Sequence, residues 1–232
     1  MIGIIGAMSE EVNIIKEEMQ FSYEEIIGKF TFYIGSLRDR KIVLAESGIG
    51  KVNAAMLATI MIIKFNVKAV CFSGVAGALD SRLKVGEVVI GEKMLQHDMD
   101  VREFGLKKGE IPRMDTSVFL SNDRLMEIVK EYKLPNNKIY NGTIISGDQF
   151  VSSKQAKQEL AEEFNAMCVD MESAAVAQVC HRLDKKCIVI RSISDSVTDD
   201  STMEYSQFTE LAANNSKELV CHLAGVLSQE QI

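Results

Sequence analysis

The 232-residue sequence has no tryptophan, two prolines, three histidines and five cysteines. Each scarcity excludes something. With prolines only at positions 112 and 135 there is no proline-rich linker and no low-complexity tract. A composition of 47% hydrophobic and 25% charged residues is that of a folded globular chain. Cys71, Cys168, Cys180, Cys187 and Cys221 include no CxxC pair and lie mostly in apolar surroundings. They read as reduced, buried thiols of a cytoplasmic protein, not as a disulfide framework. Histidine is too sparse for a metal centre. His97-Asp98-Met-Asp100 offers ligand types, but no second His/Cys cluster completes it, so no metal is expected. Positive charge is short as well. Lys plus Arg number 26 against 33 Asp plus Glu, a net charge of −7 that repels phosphate backbones and argues against a nucleic-acid partner. No apolar run reaches the roughly eighteen residues of a membrane helix. Met1–Met8 lacks a basic leader and is too short for a signal peptide, and it reads as a buried first strand.

What remains is an alternation of short apolar runs and helical patterns. Ile2–Ile5 reads as a strand, followed by a helix with Met8, Val12, Ile15 and Met19 at helical spacing. Lys29–Ile34 and Lys41–Ala45 read as strands, and Val52–Lys64 as an apolar helix. Ala69–Phe72 is expected to be a strand ending at Ser73-Gly-Val-Ala-Gly77, and Val85–Ile90 another. Ser121–Tyr132 is helical and stopped by Pro135, Ile139–Ser146 a strand, and Ser153–Phe164 a helix. Met167–Val169 is extended, Ser173–His181 a helix of small residues, and Ile188–Ile190 a short buried strand. A last helix is expected to turn Phe208, Leu211, Asn215, Leu219 and Leu223 to one face. Such alternation predicts one α/β domain over the whole chain, with a mostly parallel sheet covered on both faces. Ligands of such sheets sit beyond the carboxyl ends of strands. The segments to inspect are therefore 6–11, 46–51, 73–77, 146–151, 170–172 and 191–195.

Two glycine patterns there do not carry a nucleotide site. Gly3-x-x-Gly6 lacks the third glycine of a dinucleotide fingerprint. Ser47-Gly-Ile-Gly-Lys51 ends like a phosphate loop, yet Val52 replaces the Ser/Thr and Ala45 the leading glycine. It reads as a tight strand-to-helix turn with backbone facing a ligand. Glu11 and Glu172 each lie between a strand and a helix, where the helix dipole alone favours an acid. Asp195 ends a strand that begins apolar, and simple alternation turns Arg191 and Asp195 the same way. Such a pair is either a buried ion pair or a site. No GxSxG elbow supports a serine hydrolase.

Taken together and in order, Gly3-Ile-Ile-Gly-Ala-Met-Ser-Glu-Glu11, Ser47-Gly-Ile-Gly-Lys51, Ser146-Gly-Asp-Gln-Phe150, Val169-Asp-Met-Glu172 and Arg191-Ser-Ile-Ser-Asp195 resemble the 5′-methylthioadenosine/S-adenosylhomocysteine nucleosidases, within the purine nucleoside phosphorylase superfamily. The resemblance spans nearly the whole chain. It implies a single domain with a central mixed sheet flanked by helices, a homodimer, no cofactor, and hydrolysis of the N-glycosidic bond of a purine nucleoside. It implies roles as well. Glu11 matches the residue activating water, Glu172 the one gripping the ribose hydroxyls with the Met171 backbone beside it, and Asp195 the acid protonating adenine N7, steadied by Ser194. Phe150 matches the ring stacked on the base, Val151 the backbone reader of its edge, and Arg191 a residue near the water. Met8, Ile49 and Tyr205 match walls of the 5′ pocket, and Val101, Phe104 and Pro112 match residues lent by the partner subunit.

The sequence departs from the family at Val75, where Ser is common, and at Tyr205, where Phe is common. Three other activities remain open on these residues: a phosphorylase, which needs cations for phosphate, a nucleosidase for 6-amino-6-deoxyfutalosine, and a non-catalytic nucleoside binder.

Overall fold

The computed structural model describes residues 1–197 and 201–227. Ten strands and six helices follow one another as β1 (Ile2–Gly6), α1 (Ser9–Glu18), β2 (Gln20–Ile27), β3 (Phe30–Leu37), β4 (Arg40–Glu46), α2 (Lys51–Phe65), β5 (Ala69–Ala78), β6 (Val88–Gln96), β7 (Phe119–Leu120), α3 (Asp123–Glu131), β8 (Ile139–Ser146), α4 (Lys154–Phe164), β9 (Cys168–Asp170), α5 (Ser173–Arg182), β10 (Lys186–Asp195) and α6 (Ser201–Val226). The strands run in the order β10-β6-β8-β9-β5-β1-β4-β3-β2, with β7 on β6. β10 also pairs with β5, so the first five strands of that order close on themselves. Closure leaves those strands without free edges. The sheet is mixed: β1 is parallel to β4 and β5, and β5 to β10, whereas β6 runs against β10 and β9 against β5.

Strand alternation explains how both faces are covered. On β1 and β4, Ile2, Ile4, Ile42 and Leu44 face one core, with α1, α3 and α6 behind them. Ile5, Val43 and Ala45 face the other, against Leu57, Ala58 and Met61 of α2 and Val176 and Ala177 of α5. Strands buried on both faces carry continuous apolar runs, as Ile2–Gly6 does.

Several expectations need correction. β2 was not foreseen. It lies at the end of the sheet and is largely exposed, so Gln-Phe-Ser-Tyr-Glu-Glu-Ile-Ile has no apolar face to announce it. β5 does not stop at Phe72 but continues through Ser73–Ala78, because those small residues pair with β10. β10 likewise extends beyond Ile190 to Asp195. A register shift between Ile193 and Asp195 overturns simple alternation there. Arg191 pairs with Gly74 and Asp195 with Gly77, and positions three apart on a strand face opposite sides. In α6 Leu219 and Leu223 are buried as expected, but Leu211 is 54% exposed, and Ala212 and Ser216 occupy the inner face. Among the described residues no helix is long and apolar enough to cross a membrane.

Candidate active site

Glu11 lies in the first turn of α1, and its side chain folds back over the start of its own helix. Oε2 accepts the N–H of Ala7 (2.6 Å) and of Met8 (3.1 Å), and Oε1 accepts the N–H of Val75 (2.9 Å). Val75 thus serves Glu11 through its backbone N–H, which any residue but proline can supply. Next to it, a Cβ on Gly74 would fall 2.2 Å from Arg191 Nη1 and 2.3 Å from Glu11 Oε1. Only glycine leaves room for those two groups to meet across β5.

Arg191 is wholly buried and packs its guanidinium 4.0 Å from the centroid of the Phe72 ring. Nε donates to Asp170 Oδ2 at 2.7 Å and to Ser173 Oγ at 3.0 Å. Nη2 lies 3.6 Å from Glu172 Oε2, and Nη1 4.0 Å from Glu11 Oε1. Asp170 is tied further by Ser146 Oγ (2.5 Å), by the N–H groups of Glu172 and Ser173, and by the Ser173 hydroxyl. Glu172 precedes α5, and its Oε1 accepts the N–H of Gly50 (2.9 Å). The glycine turn after β4 therefore points backbone at a carboxylate.

Three carboxylates share one guanidinium, and the protons respond. Burial raises the pKa of Glu11, against the pull of Arg191 and the three N–H donors. Glu172 is pushed up to about 7, first by burial and then by the charge of Asp170, with Arg191 opposing.

Asp195 occupies a separate corner. Its Oδ1 accepts from Ser194 Oγ (2.9 Å) and its Oδ2 from Lys157 Nζ (2.6 Å). Both charged side chains are almost fully enclosed. Lys157 comes from α4, whose N-cap Ser153 accepts the N–H of Ala156, and it also donates to the carbonyl of Ser196 at 2.5 Å.

Between these groups lies a cavity of about 270 Å³. Glu11, Asp170, Glu172 and Asp195 line it, and none of its described lining residues is Lys, Arg or His. Its apolar walls include Met8, Ile49, Val75, Phe150, Val151 and Met171. Tyr205 meets Phe150 edge to face at 5.6 Å and donates its hydroxyl to Met8 Sδ at 2.8 Å. Ile49 and Phe150 are half exposed at the rim.

Of the residues singled out from the sequence, Glu11, Glu172, Asp195, Met8, Ile49, Val75, Phe150, Val151, Met171, Ser194 and Tyr205 all border this cavity. Arg191 stands behind the wall instead of lining it. Val101, Phe104 and Pro112 do not border it within the chain, and Phe104 is 83% exposed. His97 is buried against Gly147, and Asp98 pairs with Lys51 at 2.6 Å. Sequence reasoning passed over Asp170 and Lys157. Asp170 stood inside a quoted motif, and its order of apolar, acid, apolar, acid was a signal. Lys157, in a helix rich in Lys, Gln and Glu, carried none.

Comparison with known proteins shows the family. The family model described as the phosphorylase superfamily matches residues 1–224, which defines the class. A 5′-methylthioadenosine/S-adenosylhomocysteine nucleosidase of Staphylococcus aureus (strain JH9) is 39% identical over 224 residues, covering 95% of this chain and 97% of the relative. The nucleosidase of the same name from Neisseria meningitidis, solved with methylthio-immucillin-A, superimposes with a TM-score of 0.93 at 37% identity, covering 97% and 99% of the two chains. The futalosine hydrolase of Helicobacter pylori strain 26695 gives 0.91 at 36% identity, covering 97% of each chain. The chain belongs to the phosphorylase superfamily and, within it, to the 5′-methylthioadenosine/S-adenosylhomocysteine nucleosidase family.

Proposed function

We propose that the protein, acting as one domain over its whole length, hydrolyses the N-glycosidic bond of 5′-methylthioadenosine and S-adenosylhomocysteine, and of 5′-deoxyadenosine, to adenine and the 5-substituted ribose. The observation that carries this reading is the sign of the cavity wall, with four carboxylates and no cation among its described residues. Such a wall repels phosphate and stabilises a ribose that gains positive charge as the base departs. Glu11 takes a proton from water as the new C1′–O bond forms. Glu172 holds the ribose hydroxyls beside the Met171 backbone. The C1′–N9 electron pair leaves with the purine, and Asp195, steadied by Ser194, protonates N7. Phe150 stacks on the base, the Val151 backbone reads its edge, and Met8, Ile49 and Tyr205 enclose the 5′ group. Each proton transfer contributes about 10²–10⁴-fold, or roughly 3–5 kcal/mol.

A homodimer completes the site, with Val101, Phe104 and Pro112 lent by the partner subunit. The exposure of Phe104 supports this, as do Val52, Met56 and Ile63, exposed at helical spacing on α2. Five free, buried cysteines fit a cytoplasmic setting, where the reaction serves methionine salvage and the methyl cycle. A second reading is 6-amino-6-deoxyfutalosine hydrolysis, favoured by the similarity to the Helicobacter pylori futalosine hydrolase. The test is adenine release from 5′-methylthioadenosine without phosphate, run beside the deoxyfutalosine nucleoside. An absolute need for phosphate would refute hydrolysis, and a much higher kcat/KM on the deoxyfutalosine substrate would select the second reading.

A further inference from the structure

We propose that Lys157 is the source of the proton that Asp195 delivers to the leaving purine, a positioning residue on α4 that serves the reaction through Asp195 without touching substrate. The inference rests on the nucleoside-cleaving reading above. A general acid must carry a proton before it can give one. Asp195 is 2% exposed, and both of its oxygens accept hydrogen bonds, Oδ1 from the Ser194 hydroxyl and Oδ2 from the Lys157 ammonium. With both oxygens engaged as acceptors, the proton nearest to Oδ2 in this arrangement is the one on Lys157 Nζ, 2.6 Å away.

The lysine is built into this place. It is one of the largest fully buried side chains in the protein, on a helix otherwise rich in solvated Lys, Gln and Glu. Its second hydrogen bond, to the Ser196 carbonyl, fixes Nζ at the end of β10. The Ser194 hydroxyl on β10 and the Ser196 carbonyl just past that strand bond to the pair, and the charge of Asp195 also acts on the Cys168 thiol of β9. Burial and the neighbouring carboxylates, Asp195 among them, hold the proton of Cys168 in place.

In a dry interior the attraction between two charges is nearly offset by their desolvation, so an ion pair and its neutral tautomer lie close in energy. A purine that fills the cavity removes further water. One Nζ–H bond then breaks as an O–H bond forms on Oδ2. That proton passes to N7, whose lone pair forms the new N–H bond, while the C1′–N9 pair enters the ring. Lys157 is left as a neutral amine beside a carboxylate, and it recharges from solvent once adenine leaves.

Lys157→Arg and Lys157→Met test this through kcat and KM for adenine release, measured from acid to alkaline pH. Arginine keeps the charge but does not surrender a proton. K157R is expected to hold KM within about threefold and to lose about 10²-fold in kcat across the pH range. K157M is expected to lose a similar factor at neutral pH and to recover toward acid, because a buried carboxyl without its cation takes up its own proton. Wild-type kcat in K157R would reduce Lys157 to a counter-ion and overturn the proposal. So would losses in both variants that follow KM and thermal stability with an unchanged pH profile. Either variant decides if the other does not fold. If the wild-type protein releases no adenine from any 5′-substituted adenosine, the enzymatic reading itself fails. If the wild-type protein is active and K157R matches it, only this proposal falls.

Discussion

The two ends of the cavity treat negative charge differently. At one end Glu11, Asp170 and Glu172 share the single guanidinium of Arg191, leaving a formal charge of −2 in a buried wall. At the other end Asp195 has a lysine to itself and the pair is formally neutral. The proposed reaction asks for this asymmetry. A sugar that turns cationic is stabilised by excess negative charge, whereas a leaving base needs a proton and not a field. Low dielectric makes both arrangements strong, and it also makes the crowded end hold protons tightly.

Removing the acid at the neutral end should have the largest effect. Asp195→Asn is expected to lower kcat by about 10³–10⁴-fold while binding of a substrate analogue stays measurable. Near-normal adenine release would remove Asp195 from the acid role. Glu11→Gln is expected to cost about 10²–10⁴-fold by the same assay, since a neutral amide takes no proton from water. An unaltered kcat would move the base elsewhere.

The crowded end can be broken through its cation. Arg191→Met leaves three buried carboxylates without a counter-ion and should destabilise the fold by about 3–5 kcal/mol in denaturant unfolding. A loss below about 1 kcal/mol would show that the guanidinium is not what holds them together.

Protonation sharpens the comparison further. The folded pKa of Glu172 is about 7, above the 4.5 of an ordinary glutamate. Between those values the folded state binds a proton that the unfolded chain has released, so stability falls as pH rises. Glu172→Gln lacks that dependence. Its stability relative to the wild-type protein should climb by on the order of 2–3 kcal/mol from about pH 4.5 to about pH 7. Parallel stability profiles would place the raised carboxyl elsewhere. The smallest effect is expected at the 5′ wall. Tyr205→Phe removes a hydroxyl already engaged by Met8 Sδ, so kcat/KM for 5′-methylthioadenosine should change by no more than about threefold, roughly 0.7 kcal/mol. A tenfold change would assign that hydroxyl to the substrate.

Much of the scaffold was legible because apolar runs reveal buried strands. Ile2–Ile5, Lys41–Ala45 and Ile139–Ser146 each lie within an observed strand or match it. β2 was silent because most of its side chains face solvent. The polar half of β10 showed no apolar run, for the opposite reason. Arg191, Ser192, Ser194 and Asp195 are buried through partners far away in the chain. For the site, short motifs at strand ends marked the cavity wall, yet a lysine in a charged helix gave nothing away.

The sequence by itself determined the alternation of elements and which carboxylates stand at the ends of strands, because these are local consequences of period and composition, while its collinear motifs carried the resemblance to the family. Tertiary structure alone decided the closure of β5 on β10, the register shift that separates Arg191 from Asp195, and the way three carboxylates share one guanidinium while the fourth has Lys157. Each of those depends on groups brought together from distant parts of the chain, where the low dielectric of the interior, and not residue type, sets how a charge behaves.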